Sequence, residues 1–333
     1  MELKLIEKIR AYSQSFLSQD IKKHIKTGIG DDCAELIPYS GENILVTTDT
    51  FLENVHFRLN FYSPYLLGKK LASINLSDIG AMGARPICAF LNCEIPSYLT
   101  TSKFWDPFLK GLIDRLYEFG AVLAGGDTVS TIGKYLGLTL TLIGSAPKGK
   151  VIYRSCAKEG DLIYTSGFLG DSAAGLSLLE NKIMNIPRGV RRYLIKRHID
   201  PFPQIPLGRL LAEIGVNSLI DISDGIATDI AHICKESRVM AKIFIDRLPI
   251  SRSLKVMAKK ANKNPYTFAL FGGEDYELIW TVAPKMAKEM EDKVCSILKR
   301  RPFKIGEITK GQGVIAIYPN GKKRDITFMG YEH

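Results

Sequence analysis

The sequence predicts an α/β protein, in the broad sense that includes α+β folds, built from two domains. Strand-like apolar runs and segments of helical periodicity alternate along most of the chain. An alternating apolar and polar segment at residues 136–144 adds an antiparallel strand to this pattern. The 333 residues exceed the usual size of a single hydrophobic core, and 46% of them are hydrophobic. We therefore expect a mixed-sheet N-terminal domain followed by an α/β domain.

The first half begins with a predicted amphipathic helix at residues 3–17. The Gly28-Ile29-Gly30-Asp31-Asp32 segment that follows is typical of either a surface turn or a metal-binding loop. Strands are then predicted at 43–49, 87–95 and 136–144, and helices at about 66–83 and at 102–119. Residues 147–150, Pro-Lys-Gly-Lys, are the best candidate boundary, which gives domains of 1–147 and 148–333.

The second half resumes with a strand in residues 160–167 and a helix that starts in the Gly170–Gly175 stretch. Amides at this helix start could hold a phosphate, although such turns are common in α/β proteins. Further helices are predicted at 225–237 and 284–300, and further strands at 239–245, 276–282, 303–309 and 313–318.

Asp78 occupies an unusual position in the helix predicted to end near Gly83. Leu67, Leu71, Ile74 and Asp78 share one helical face by their spacing, so a carboxylate stands where a core side chain is expected. A buried carboxylate is unfavourable unless a cation or a donor meets it. An N-cap or a salt-bridged residue is the ordinary explanation for a single such aspartate.

Similar acidic residues recur beside glycines and small hydroxyl residues. Several follow apolar runs, which predicts that their carboxylates lie at strand ends, where α/β sites collect. They are hard oxygen ligands without paired Cys or His, which favours Mg²⁺ over zinc and indicates a magnesium-phosphate site. The motifs are Gly28–Asp32, Thr47-Thr48-Asp49-Thr50, Gly125-Gly126-Asp127-Thr128, Asp221-Ile222-Ser223-Asp224-Gly225 and Gly272-Gly273-Glu274-Asp275.

His56 is the imidazole that follows the Thr-Asp-Thr segment. A single histidine is more often structural than a ligand. If it is functional, His56 is better suited to contact a substrate than to bind a metal.

Composition and charge exclude several classes of protein. The net charge of +10 is scattered rather than concentrated in a tail or patch, which disfavours a nucleic-acid or membrane partner. Six dispersed cysteines without a C-x-x-C pair favour reduced thiols. No signal peptide or bilayer-spanning run is recognised, so a soluble cytoplasmic protein is expected. The P-loop, dinucleotide and protein-kinase motifs are absent from the sequence.

The chain resembles the thiamine-monophosphate kinase family from about residue 28 to Tyr331. The resemblance rests on the order of the acidic motifs together with His56-Phe57, Asn75-Leu76-Ser77-Asp78 and Tyr276-Glu277-Leu278. That family is related to aminoimidazole ribonucleotide synthetase and selenophosphate synthetase. The resemblance implies an N-terminal ATP- and metal-binding domain that dimerises through its sheet, and a C-terminal domain that completes the nucleotide and substrate site. It also implies magnesium-assisted transfer of phosphate from ATP to thiamine monophosphate, without a covalent nucleophile.

The same resemblance implies the site residues. Magnesium ligands would be Asp32, Thr47, Thr48, Asp49, Asp78, Asp127, Asp221 and Asp224. ATP contacts would be Gly126, Asp127, Arg154 and Ser223, and substrate contacts would be His56, Glu274 and Tyr331. Phe328 stands where parts of the family carry a tryptophan, and we favour Tyr331 over Phe328 as the contact to the thiamine ring.

Two alternatives remain from the sequence. Another ATP-dependent synthetase of the superfamily is disfavoured, because Cys33 comes after the acidic pair and the chain ends Gly330-Tyr331-Glu332-His333 rather than in a reactive cysteine. The other alternative is a metal- and nucleotide-binding homodimer without turnover. An assay of ADP release separates it from a kinase.

Overall fold

The computed structural model describes residues 25–27 and 35–330, and within them the chain forms two compact units. The first unit contains the described residues up to Ile79 together with Ala84–Gly149. The second contains Gly80–Gly83 and the chain from Lys150 onwards. The predicted helix at 3–17, the Gly28–Asp32 loop with Asp32, and Tyr331 lie outside the described residues. The ranges 1–147 and 148–333 stay predictions, as do the roles assigned to them.

The first unit has a four-stranded mixed sheet with strand order β3-β6-β4-β5. Only the β4–β5 pair of this sheet is parallel. β1 and β2 form a separate two-stranded antiparallel sheet. The elements are β1 Ile25–Thr27, β2 Glu35–Leu36, β3 Glu42–Leu52, α1 Pro64–Ala81, β4 Arg85–Pro96, α2 Ser102–Glu118, β5 Val122–Thr131 and β6 Gly137–Pro147.

Helices α1 and α2 cross with their backbones in contact, and glycine makes this possible. A Cβ on Gly68 would lie 2.1 Å from the carbonyl oxygen of Phe108, and one on Gly111 would lie 1.9 Å from that of Tyr65. α1 also packs on β6, where a Cβ on Gly144 would meet Ile79 at 2.9 Å. The helices therefore cover one face of the sheet, and the alternate leucines of β6 are buried beneath them: Leu138, Leu140 and Leu142.

The opposite face of this sheet, called the outer face below, is lined partly by threonines. Thr48 bonds Thr141 and Thr50 bonds Thr139 across β3 and β6, each at 3.0 Å. Val46 on the same face is 64% exposed. On the outer face of β6, the hydroxyl residues Thr139 and Thr141 therefore alternate with the buried leucines.

The second unit has a seven-stranded sheet of order β13-β12-β9-β11-β7-β10-β8, with only β9–β12 parallel. Its strands are β7 Leu162–Thr165, β8 Ser218–Asp221, β9 Met240–Phe244, β10 Leu278–Val282, β11 Phe303–Thr309, β12 Gly313–Ile317 and β13 Lys323–Asp325. Its helices are α3 Asp171–Leu179, α4 Arg188–Ile199, α5 Ile205–Ile214, α6 Ile226–Ser237, α7 Arg252–Lys260, α8 Pro265–Phe271 and α9 Pro284–Leu298.

Hydrophobic cores lie on both faces of this sheet. Ile163 and Ile279 contribute to one core, and their chain neighbours Tyr164 and Trp280 contribute to the other. Such alternation follows from the two-residue period of a strand. The predicted mixed α/β fold is confirmed. No described helix is both long and apolar enough to cross a membrane.

The predicted strand ends need correction. β3 continues to Leu52 and β5 to Thr131, so Asp49 and Asp127 lie within strands. Each strand keeps its backbone pairing through polar residues, because ladder hydrogen bonds do not require apolar side chains. Asp221, by contrast, is the last residue of β8.

Candidate functional site

Thr47 and Asp78 meet in the first unit. The Thr47 hydroxyl donates a 2.6 Å hydrogen bond to the Asp78 carboxylate, which joins β3 to α1. Asp49 follows Thr47 by two residues and therefore lies on the same, helix-covered face of the sheet. Three predicted magnesium ligands thus share this face.

Thr48 and Asp127 lie on the outer face instead. Across the sheet, Thr50 pairs with Thr139, Thr139 with Asn92, and Asn92 with Asp127, so these residues lie on the same face. The Asn92 side chain accepts a 3.1 Å hydrogen bond from the Asp127 amide. The structure therefore separates the described predicted ligands of this unit between two faces.

Gly126, which precedes Asp127, cannot be replaced without strain. Its φ is 151°, and a Cβ would lie 1.9 Å from the carbonyl oxygen of Leu91. This glycine keeps the β5 backbone close to β4 and leaves its own amide segment exposed.

His56 lies in the turn after β3, where the Leu52 amide donates a 3.0 Å hydrogen bond to its Nδ1. An atom that accepts this bond carries no proton. Neutral His56 therefore carries its proton on Nε2, and this nitrogen is a hydrogen-bond donor.

In the second unit, the segment 221–225 pairs with the segment 272–277. The Glu274 amide donates to the Ser223 carbonyl at 2.7 Å, and the Tyr276 amide donates to Ile222 at 2.9 Å. Gly273 permits this approach, because a Cβ there would lie 2.3 Å from the Ser223 oxygen. The structure therefore brings the predicted substrate contact Glu274 beside the predicted nucleotide contact Ser223.

The C-terminal segment reaches the same region. The Gly330 amide donates to the Thr228 hydroxyl at 2.9 Å, and a Cβ on Gly330 would lie 2.4 Å from the Asp224 carbonyl. Phe328 is 46% exposed and meets the His232 ring edge-on at 5.2 Å. Because Tyr331 lies outside the described residues, its role as the ring contact stays a prediction.

Electrostatics link Asp221, Asp224 and Arg154 to buried Asp229. Burial raises the pKa of Asp229 well above its usual range, and the charges of Asp221 and Asp224 raise it further. A backbone hydrogen bond and the Arg154 charge oppose this shift. Burial, followed by the Arg154 charge, lowers the pKa of His232. Excess negative charge on oxygen donors fits a hard divalent cation.

The described residues do not by themselves form a preassembled metal cage. Within residues 25–27 and 35–330, no group of three or more His, Cys, Asp or Glu side chains is arranged to hold a metal ion. The donor chemistry at Asp221 and Asp224 fits magnesium bound partly through phosphate oxygens and water, which is its usual mode in proteins.

The helix start at Gly170 is not a phosphate site. The amides of Gly170 and Ser172 donate at 2.6 and 3.1 Å to the carboxylate of Asp275. Asp171 and Ser172 are fully buried. An internal carboxylate therefore occupies the amides that the sequence suggested for a phosphate.

Sequence reasoning missed Arg197 and His198, the two residues near the end of α4. Arg197 donates a 2.9 Å hydrogen bond to Glu277, and His198 Nδ1 lies 3.2 Å from Glu274. The available signal was the four-residue spacing of Val190, Leu194 and His198, which predicts one helical face. The high density of basic residues in this segment obscured that face.

Comparison with known proteins supplies the family. Residues 30–146 match the N-terminal domain of AIR synthase related proteins, and residues 158–319 match the C-terminal domain. The thiamine-monophosphate kinase of Buchnera aphidicola subsp. Schizaphis graminum is 37% identical, over 100% of this chain and 99% of its own.

Two solved structures are also similar. The thiamine-monophosphate kinase of Stenotrophomonas maltophilia K279a gives a TM-score of 0.82 at 33% identity, covering 96% of each chain. AaThiL complexed with AMPPCP and TMP gives 0.76 at 32% identity, covering 91% of this chain and 92% of its own. The resemblance drawn from the ordered motifs is confirmed, and the chain belongs to the thiamine-monophosphate kinase family.

Proposed function

We propose that this chain transfers a phosphate from ATP to thiamine monophosphate, giving ADP and thiamine diphosphate. The observation that carries the proposal is the 2.7 Å hydrogen bond from the Glu274 amide to the Ser223 carbonyl, because it joins the loop proposed to contact the substrate to the loop proposed to contact the nucleotide. The similarity to AaThiL, which is complexed with AMPPCP and TMP, supports the same reaction class.

Phosphoryl transfer asks mainly for positioning and charge neutralisation. Bound magnesium would supply part of that neutralisation at the phosphate oxygens. In the first unit the proposed ligands belong to more than one magnesium ion, because Thr47, Asp49 and Asp78 lie on the helix-covered side of the sheet and Thr48 and Asp127 on the outer face. Asp32 is a further proposed ligand. In the second unit the proposed ligands are Asp221 and Asp224, whose charges act on buried Asp229.

The other proposed site residues bind the two substrates. Arg154 supplies a positive charge for ATP phosphates, and Gly126 and Ser223 supply close backbone approach. His56 donates from Nε2, which suits a phosphate oxygen or another acceptor on thiamine monophosphate. Glu274 accepts from the amino-bearing or cationic rings, and Tyr331 packs against them. No side chain acts as a covalent nucleophile.

The active form in this proposal is a homodimer that associates through the outer face. Ile44 and Val46 are 46% and 64% exposed there, and they precede Thr48 and Thr50 on the same face of β3. An exposed sheet face of this kind is a recognised association surface. We also propose a cytoplasmic location, since the five described cysteines are free thiols.

The test is an assay of ADP release with ATP and magnesium, with and without thiamine monophosphate. Release that requires thiamine monophosphate and yields thiamine diphosphate supports the proposal. Metal-dependent thermal stabilisation by ATP without any turnover would instead support the metal- and nucleotide-binding dimer.

A further inference from the structure

Glu274 lies in a loop with restricted backbone freedom. Its φ is 62° and that of Tyr276 is 49°, both in the left-handed region that non-glycine residues rarely adopt. Hydrogen bonds from both amides to the 222–223 segment hold this conformation. The backbone is therefore fixed, and the direction of the Glu274 carboxylate depends on its side-chain contacts.

His198 makes such a contact from α4. Its Nδ1 lies 3.2 Å from Glu274 Oε2 and 3.0 Å from the Ser172 hydroxyl, and its ring is buried. An ionised carboxylate only accepts hydrogen bonds, so an attractive contact requires a proton on Nδ1. The Ser172 oxygen can share that proton, and it fixes the ring from α3.

Arg197 anchors the same end of α4 to two carboxylates, those of Glu277 and Asp171. It donates to Glu277 at 2.9 Å, and its Nε lies 4.0 Å from Asp171. Burial opposes its charged form, but the nearby carboxylates, led by Glu277, outweigh burial and raise the pKa of Arg197. Asp171 in turn accepts from Tyr193 and Ser251. α4 is thus tied to Asp171 in α3 and to Glu277, which directly precedes β10, and Asp171 is held in turn by Ser251 at the start of α7.

We propose that His198 is a positioning residue that holds the Glu274 carboxylate in the orientation that binds the thiamine moiety. The inference rests on the proposed function and assigns it a residue that does not itself touch substrate. Because the contact concerns one carboxylate of the substrate loop, its loss weakens thiamine-monophosphate binding and leaves the ATP contacts in place.

The experiment compares His198→Ala, His198→Asn and Glu274→Gln, alone and as the His198→Ala/Glu274→Gln pair. KM for each substrate is measured with the other saturating and magnesium in excess. His198→Ala should raise KM for thiamine monophosphate about tenfold, as expected for a lost hydrogen bond to a charged group, and change KM for ATP less than about twofold. His198→Asn, which places an amide N–H near the position of Nδ1, should recover part of the loss.

The His198→Ala/Glu274→Gln double variant provides the decisive comparison. If His198 acts through Glu274, the double variant should match Glu274→Gln within about twofold. Independent, multiplying effects would overturn the inference, as would an unchanged KM for thiamine monophosphate in active His198→Ala.

Tyr193→Phe is the matched control, because it removes a hydrogen bond to Asp171 in the same buried network without contacting Glu274. It should lower the melting temperature yet leave KM for thiamine monophosphate unchanged. A rise in that KM equal to the rise in His198→Ala would assign the effect to general destabilisation and overturn the inference. If His198→Ala does not fold, His198→Asn and its pair with Glu274→Gln give the same comparison. A wild-type chain that does not turn over thiamine monophosphate would overturn the proposed function first, and the inference with it.

Discussion

The hydroxyl of Thr47 donates a 2.6 Å hydrogen bond to the carboxylate of Asp78, although 31 residues separate them in the chain. This bond fixes one carboxylate oxygen of α1 against β3. The two side chains therefore act as a pair, and the position of Asp78 depends on Thr47.

The first prediction tests this pair. Thr47→Val keeps the shape of the side chain and removes the donor, so it should lower kcat/KM about tenfold. Asp78→Asn should lower it more, and the double variant should be no worse than Asp78→Asn. Steady-state kinetics on the three variants measure the coupling. Additive losses would mean that the two residues act separately.

The second prediction concerns Asp127, which is exposed on the outer face. Asp127→Asn should reduce kcat at least 100-fold, because it removes a proposed metal ligand, and should leave the melting temperature within about 2 °C. The control is Asp114→Asn, which changes an acid bonded to Tyr65 and Lys110 in the same unit and should retain activity. Near-normal turnover in Asp127→Asn would reject the ligand assignment.

The third prediction is that Glu274→Gln raises KM for thiamine monophosphate more than KM for ATP. Glutamine keeps the size of the side chain but loses the charge that meets a cationic or amino-bearing ring. Titration of each substrate with the other saturating separates the two constants. Glu307→Gln is the control, since Glu307 pairs with Lys242 at the surface. A raised KM for ATP with an unchanged KM for thiamine monophosphate would instead assign Glu274 to the nucleotide-binding site.

The fourth prediction is a homodimer that forms through the outer face and persists without magnesium. Val46→Arg should give a monomer in light scattering at micromolar concentration, because it introduces a charge into an apolar contact. Met184→Arg, at a residue of the second unit that is 71% exposed, should remain dimeric. A monomeric wild-type chain would reject the proposal.

The fifth prediction concerns the pH dependence of stability. Burial raises the pKa of Asp275 to about 7, and this outweighs Arg197 and the amides of Gly170 and Ser172, which lower it. In the unfolded chain the carboxyl loses its proton near pH 4. Between these values the folded state holds the extra proton, so raising the pH from 4 to 7 destabilises the fold.

The Asp275→Asn variant should lack this contribution. The melting temperature of the variant minus that of the wild type should be higher at pH 8 than at pH 5. Each unit of pKa shift corresponds to about 1.4 kcal/mol in the free energy of unfolding. Thermal unfolding at several pH values measures the difference. A constant difference across this range would show that Asp275 titrates normally in the folded protein.

The elements with clear periodicity could be predicted from the sequence. The helix carrying Asp78 and the strand at 303–309 have the expected type and nearly the expected bounds. The expectation that the acidic motifs lie at strand ends failed for Asp127, because the second half of β5 is polar and its pairing with β4 is invisible in a single sequence. The helix at Arg188–Ile199 was missed because its surface is dominated by charge.

The sequence identified candidate site residues, but it could not show which of them lie close together in the fold. Nothing local in the sequence indicates that Thr48 and Asp127 face away from Thr47 and Asp78, since this depends on the register of four strands. Likewise, the contact of His198 with Glu274 joins positions 76 residues apart. Long-range pairing determines both.

The second unit includes Gly80–Gly83, a segment that precedes three strands of the first. A Cβ on Gly208 would lie 1.9 Å from the Gly80 carbonyl, and the Ile152 amide bonds Met82 at 3.2 Å. No single cut can therefore divide the protein into two self-sufficient polypeptides. A fragment starting at Lys150 would lack the Ala81 side chain from its core, so gene fission at this boundary is disfavoured, and a permuted chain must keep α1 intact.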